Sequence, residues 1–528
     1  MVNLSITTEQ VQKSLTGLNP NKATGPDGIP PRLLKELSNV LSIPIAMIMN
    51  KSIQEGMLPS NWKTAHVVPI FKKGKKNLAG NYRPVSLTSV TCKVLETLVR
   101  EKLIDHLDEN NLITDSQHGF VGGRSCSTNL LAVLDIWTEI IEGDGAVDTI
   151  YLDFAKAFDT VPHERLLHKL RGLGIQGAIL EWIRSFLSDR TQKVVIDGEE
   201  SEWRDVASGI PQGSVLGPLL FVCFVNDLPD IVTSSVYLFA DDTKLFNKVP
   251  DYKTTVQEDL DQLQEWSDKW QLRFNADKCK VMHLGKQTAP TDYTMTSAGK
   301  TVTLKQTNIE KDLGVNVDSE LSFESHVYIQ TKKANKLLGM IRRTFSQLDK
   351  VSLPLLYKAI VRPHLEYCNV TWHPRWKKEG DALEAIQRRA TKQIPSLRDS
   401  DYTDRLKMLK LPSLYYRRAR GDMIECFKYL SGTYKVDTNF LLMDQNRTRG
   451  HSRKLKKLSA QKPCRSTFFS RRITNAWNAL PESVISSPTL NTFKSRLDKE
   501  WNNHHYCLNI DWYKNPSNFR VNECKSMK

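Results

Sequence analysis

The sequence predicts an α+β fold: a split β-α-β unit in the middle of the chain, then a mostly helical, basic C-terminal region. Three observations predict it. Two apolar, aromatic-rich runs, residues 149–159 (TIYLDFAKAFD) and 236–246 (VYLFADDTKLF), have the composition of strands, and both carry carboxylates. Segments of 3.6-residue periodicity separate and follow them, so that residues 149–315 read β-α-β…β-α-β. Beyond residue 325 the pattern is helical, with Lys and Arg on the polar faces.

Taken in order, residues 4–18 form a short amphipathic helix, with Thr7 and Gln10 as a capping box and Val11, Leu15 and Leu18 on one face. Residues 19–30 are rich in turn formers, and 32–56 are helical. Residues 67–71 are a strand, followed by the basic loop 72–76 and by 81–87. A helix ends near residue 111, and 117–125 (QHGFVGGRS) is a loop. In 149–159, period-2 alternation sets Ile150, Leu152 and Phe154 on one face and Tyr151 and Asp153 on the other. Leu166, Leu167 and Leu170 lie on the next helix, whose first turn suits Pro162. Residues 194–198 are a strand and turn. Residues 208–221 (SGIPQGSVLGPLLF) are a tight loop running into an apolar helix. Leu260, Leu263 and Trp266 mark a helix over 256–270 that covers the sheet, and 272–281 returns as turn and strand. Residues 325–345, 353–365 and 382–394 are basic helices, broken at Trp372–His373–Pro374.

The chain has 528 residues and a formal net charge of +15, which favours a polyanionic partner. No apolar run reaches the ~18 residues of a membrane span, and the N-terminal residues do not form a signal peptide. Nucleic acid is therefore the better partner, with no membrane. Nine scattered cysteines without a C-x-x-C pair read as reduced thiols of cytosol or nucleus. His451, Cys464, His504, His505, Cys507 and Cys524 do not make a zinc pattern.

Adjacent Asp241 and Asp242 repel unless a cation neutralises them. If the two carboxylate strands are neighbours, Asp153 and Asp241 can hold a pair of Mg²⁺ ions, with Mn²⁺ as a substitute. Such a pair activates a 3′-hydroxyl and stabilises a leaving pyrophosphate, the chemistry of a polymerase. The glycines of 208–217 let backbone approach a base or sugar. The basic loop beside the 67–71 strand suits a triphosphate, and Arg83 suits bidentate phosphate contact. Residues 441–480 hold ten Lys or Arg and one acid, Asp444, with Phe468, Phe469 and Trp477 among or just beyond them. That mixture suits single-stranded nucleic acid, and Arg453–Lys457 equally suits a nuclear import signal.

In that order, the Asp153 stretch, the Pro-Gln-Gly loop and the Asp-Asp pair resemble the reverse transcriptases, and their wording is most similar to non-LTR (LINE-type) retrotransposons of the chicken-repeat and jockey groups. The resemblance runs from about residue 24 to about 496. It implies a right-hand polymerase with a fingers-palm unit, a split βαβ palm and a helical thumb. It implies RNA template, DNA primer or target, and deoxynucleoside triphosphates as partners. By resemblance, Asp153, Asp241 and Asp242 are catalytic, with Asp153 and Asp241 on the metals. Arg83 and Lys72 or Lys73 contact the triphosphate, Gln212 lines the nucleotide pocket, Phe158 fills the space of a ribose 2′-hydroxyl, and Lys278 approaches the triphosphate. The 117–125 loop, with Arg124, contacts template, and the 311–315 turn, with Gly314, is the primer grip; a TGPDG stretch at 24–28 also goes with template binding. The implied division is 1–52, an N-terminal helical extension; 53–317, fingers and palm; 318–400, thumb; and 401–528, the basic C-terminal region. Relatives of this group carry an endonuclease ahead of the polymerase, and none fits before residue 24 here. The rival expectation is a catalytically silent nucleic-acid-binding remnant; the three retained carboxylates argue against it, and Phe158 argues against ribonucleotide copying. Nucleus and cytoplasm are the implied compartments.

Overall fold

The computed structural model describes residues 4–249, 253–286, 291–297, 299–437, 439–445, 450–509 and 511–514. Of the residues discussed above, Arg447, Arg449 and Cys524 lie outside this set.

The chain is built on a five-stranded sheet. Its order is Lys305–Gln306, Lys280–Leu284, Ala146–Leu152, Asp242–Val249, Ser235–Phe239. The Ala146–Leu152 strand is antiparallel to both neighbours, with Ile150 opposite Leu245 on one side and Val281 on the other. The helix-strand order is the split pattern that the sequence predicts, and the fold is α+β. Alternation works as expected. Ile150, Leu152 and Phe154 point into one core together with Leu245 and Val281. Tyr151 packs against a second core that holds Val147, Phe246, Met282 and Leu284. The strand itself stops at Leu152, so Asp153 lies just past its end, and Phe154 makes a bridge to Phe274 with rings stacked at 4.5 Å.

The first core is closed by helices Val90–Glu109, His163–Gly172, Gly217–Val225 and Lys253–Trp270, the last through Val256, Leu260, Leu263 and Trp266. The N-terminal helix Thr8–Thr16 carries the expected capping box: Gln10 N–H donates to Thr7 Oγ1 and Thr7 N–H to Gln10 Oε1. The 32–56 helix is two, Pro31–Glu36 and Ser38–Gln54, meeting at Leu37.

A second sheet pairs Thr64–Phe71 antiparallel to Tyr82–Leu87 and parallel to Arg190–Ile196. Between its first two strands lies the basic loop.

The second core joins the central sheet to helix Cys126–Glu142 and to the C-terminal half. Helix Glu324–Thr344 buries Val327, Ala334, Leu338 and Ile341 and leaves Lys332, Lys333, Lys336, Arg342 and Arg343 exposed. The expected helix over 353–365 is interrupted by a π-turn at Tyr357–Val361, just before Pro363, which has no N–H to continue the ladder. One expectation is corrected in this half. Phe468, Phe469 and Trp477 are buried, so they form core and offer no surface for stacking bases. Two of the basic residues near them are internal as well: Arg465 pairs with Asp135 at 2.6 Å, and Arg472 with Asp422 at 2.7 Å. Among the described residues Cys92, Cys126, Cys223, Cys279, Cys368, Cys426 and Cys464 are free, as the sequence reading expects of them.

Candidate active site

The Asp-Asp pair sits at the tip of the Ser235–Phe239/Asp242–Val249 hairpin, and Ala240 turns it with φ of +56°. A left-handed alanine needs outside support. Residues 116–119 supply it. Leu238 N–H donates to Ser116 O, His118 N–H to Leu238 O, and the buried Gln117 Oε1 accepts from both Gly119 N–H and Ala240 N–H. Gly119 is needed there, because a Cβ would come within 2.5 Å of Ala240 N.

Asp153 is fixed from the other side. Its carbonyl accepts from Asn275 N–H at 2.8 Å, and its N–H faces Cys279 Sγ at 3.5 Å. The ladder ends at Leu152 opposite Thr243, so one further step brings Asp153 level with Asp242. The carboxyls feel one another. Burial and then Asp153 raise Asp241, against Arg83 and Lys72, which lower it. Burial, then Asp241, Asp312 and Asp153, push Asp242 up to about 6, against Lys244. Lys278 Nζ lies 3.1 Å from Asp153 Oδ1. Asp153 thus shares the end of the central sheet with the Asp241–Asp242 tip, with Lys278 in contact and the charges of Arg83 and Lys72 acting on Asp241. Lys73 is exposed on the same loop as Lys72.

The Pro-Gln-Gly loop is pressed against this cluster's flank. A Cβ at Gly209 would fall 2.5 Å from Asp159 O, and one at Gly213 2.7 Å from Ser86 O, both at positive φ. Ser86 N–H donates to Gln212 O, and Gln212 Nε2 donates to Asp159 Oδ1 at 2.8 Å. Phe158 is half-buried and stacks on Phe221 with centroids 4.6 Å apart.

Two sequence-predicted residues stand elsewhere. Gly314 turns the hairpin Ile309–Asp312/Val315–Asp318 at φ of +91°, where a Cβ would meet the Tyr367 ring at 2.9 Å. Arg124, expected on template, is held by bonds within the chain. Its guanidinium donates to the carbonyls of Thr114, Asp115, Gln117 and Lys435 and to Asp115 Oδ1, and its side chain is only 8% exposed. Those bonds shape the loop that holds the Asp-Asp hairpin.

Sequence reasoning missed three groups. Lys244, buried two residues after Asp242, donates to Asn129 Oδ1 at 2.6 Å and Asp312 Oδ2 at 2.8 Å. Its signal is a lone cation inside a strand run. Gln117 is the second, the buried acceptor beneath the Ala240 turn. Glu96, buried on helix Val90–Glu109, accepts from Val215 and Leu216 N–H and so anchors the start of helix Gly217–Val225; nothing local marks it.

Sequence comparison bears on the same residues. The sequence model of the family described as reverse transcriptase (RNA-dependent DNA polymerase) matches residues 70–341, which is 272 of 528 positions and holds both carboxylate strands and the Pro-Gln-Gly loop. The chain belongs to the reverse transcriptases. Its similar relatives include the RNA-directed DNA polymerase from mobile element jockey of Drosophila melanogaster, 28% identical over 77% of this chain and 46% of the relative. Another is the probable RNA-directed DNA polymerase from transposon X-element of the same species, 27% identical over 71% of this chain and 42% of the relative. This reverse transcriptase thus spans less than half the length of those curated relatives. Among solved structures, an apo telomerase from Candida tropicalis truncated from its C-terminal domain aligns with a TM-score of 0.36 and 12% identity, over 51% of this chain and 55% of that one.

Reverse transcriptases generally use divalent cations, and the donor set suits Mg²⁺. Among the described residues no three His, Cys, Asp or Glu side chains form a ready-made metal cage. Magnesium typically takes one or two carboxylates and completes its shell with water and substrate phosphates. Mutually repelling Asp153, Asp241 and Asp242, with a lysine already drawn to Asp153, fit that mode.

Proposed function

We propose that this reverse transcriptase is an RNA-directed DNA polymerase of a jockey-like non-LTR retrotransposon, extending a primer 3′-hydroxyl with deoxynucleotides on an RNA template. The observation that carries the reading is that Asp153 and the Asp241–Asp242 tip share one end of one sheet, with Lys278 on Asp153 and the charges of Arg83 and Lys72 acting on Asp241. Bound Mg²⁺, or Mn²⁺ in its place, would supply charge neutralisation at the phosphoryl group and a lowered pKa for the attacking hydroxyl. Asp153 and Asp241 would hold it, with Asp242 in support. Arg83, with Lys72 or Lys73, orients the triphosphate from the basic loop, and Lys278 exchanges Asp153 for a phosphate oxygen when substrate enters. Phe158 bounds the sugar site and Gln212, held by Asp159, its neighbouring wall. In this scheme residues 53–317 are fingers and palm, 318–400 thumb, 401–528 a basic C-terminal region and 1–52 an N-terminal extension. The hairpin around Gly314 grips primer. No helix among the described residues is long and apolar enough to cross a membrane, and the exposed Arg453, Lys456 and Lys457 suit nuclear entry.

The test is extension of a DNA primer on an RNA template by the purified chain with Mg²⁺. Wild type extends, whereas Asp153→Asn and Asp241→Asn each lose about a thousandfold or more in rate, the equivalent of roughly 4 kcal/mol, while binding template nearly as well. Wild-type binding without extension would establish the rival, a silent nucleic-acid-binding remnant.

A further inference from the structure

Far from the carboxylate cluster in sequence, a recess of about 120 Å³ opens in the C-terminal half. Its walls include Arg418, Arg375, Lys377, Lys514, Tyr415 and Trp376, and among the described residues no carboxylate lines it. Arg418 lies at its floor, 2% exposed, with its guanidinium over the Tyr415 ring at 4.7 Å. Nε, Nη1 and Nη2 of Arg418 are all buried without a hydrogen-bond partner, and so is Arg375 Nε. Buried donors are nearly always paired, and a charged one left bare costs more than a neutral one. The nearby acids do not fill the gap. Glu384, Glu366 and Asp422 act on Arg418 only through their fields. Glu384 accepts from Tyr402 and Leu414, Asp422 from Arg472 and Tyr513, and Glu366 from Arg417. Glu379 accepts from the backbone of Arg375 and Trp376, and Asp381 from Tyr415. Helix Lys377–Thr391 begins at the rim.

A buried guanidinium with open donors, ringed by further cations, calls for an oxyanion. Arg matches the geometry of phosphate. The floor is buried while Trp376 at the rim is 56% exposed, so an anion reaching Arg418 must protrude from its carrier. A terminal phosphate does so; an internal phosphodiester is hemmed by sugars on both sides. An exposed indole at the rim can stack the terminal base. We propose that this recess binds the terminal phosphate of a nucleic-acid strand, Arg418 taking the phosphate and Trp376 the adjacent base. Nucleic acid as the carrier rests on the polymerase reading; the phosphate does not.

The experiment compares binding of a short single-stranded RNA bearing a 5′-phosphate with the same RNA bearing a 5′-hydroxyl, by fluorescence anisotropy on the full chain. Wild type prefers the phosphorylated strand by about tenfold, and millimolar inorganic phosphate erases the preference. Lys514→Ala and Trp376→Ala, both at the exposed rim, lose the preference and keep single-nucleotide extension; Arg418→Lys loses it too if its melting temperature shows that it folds. Equal affinity of wild type for the two strands, or a preference that survives both rim variants, overturns the proposal. A phosphate preference in a chain that does not extend primers would overturn the polymerase reading alone.

Discussion

Lys244 Nζ lies 2.8 Å from Asp312 Oδ2, and both side chains are 4% exposed. The pair ties the strand that begins at Asp242 to the hairpin that turns at Gly314, with Asn129 as a third partner. It couples the candidate catalytic tip to the candidate primer grip through one buried charge pair.

Breaking that pair from one side strands a buried charge. Lys244→Met is expected to cost about 3–5 kcal/mol in denaturant unfolding. Asp312→Leu added to it should recover most of the loss. A double variant no more stable than the single one would show that the pair is not the unit that matters.

Stability should also respond to pH through His118. The ring is buried, bonded to Thr128 at Nδ1, and burial lowers its pKa to about 3. An unfolded histidine takes a proton near pH 6.5. The folded chain therefore holds this contribution above 6.5 and loses it progressively as pH falls toward 3. Between pH 7 and pH 5 the loss is about 2 kcal/mol. His118→Asn should be less stable than wild type at pH 7, and the gap should narrow by that amount at pH 5. A gap independent of pH would mean that the ring takes a proton in place.

Phe158 has two roles to separate. Its stack on Phe221 makes it part of the core edge, and it is only half-buried. Phe158→Ala should raise ribonucleotide incorporation relative to deoxynucleotide and cost about 1–3 kcal/mol of stability. Phe158→Leu keeps more of the packing and should fall between. Unchanged sugar discrimination in both, with the stability loss present, would leave Phe158 a core residue only.

The C-terminal basic region is tested by surface point variants, because its aromatics are core. Arg453, Lys456 and Lys457 are exposed. Replacing all three by alanine should weaken RNA affinity and flatten its log–log salt dependence by roughly 0.7–0.9 for each phosphate that is no longer neutralised. Identical slopes would assign the cluster to nuclear import instead.

The sequence made the strands around Asp153 and Asp241 legible because alternation and composition agree there. It made the Thr7–Gln10 cap legible because that motif is local. Arg124 was opaque: all but one of its acceptors are backbone carbonyls, one of them 311 residues away, and no spacing encodes that. The aromatics of 468–477 were misread because a basic segment with aromatics looks alike whether the rings face water or core. The periodicity of Phe469, Ile473, Ala476 and Trp477, all buried on helix Phe469–Asn478, was the better guide.

The central sheet is a partition with a core on each side, one closed by helices early in the chain and the other by helix Cys126–Glu142 together with the C-terminal half. A ribosome making this protein finishes the first side long before the second. Until the C-terminal half emerges, the second face of the sheet is covered only in part, by helix Cys126–Glu142 with Trp137 against Phe246. A copy of the gene interrupted in its final third would thus encode an adhesive, aggregation-prone chain in place of a smaller working polymerase.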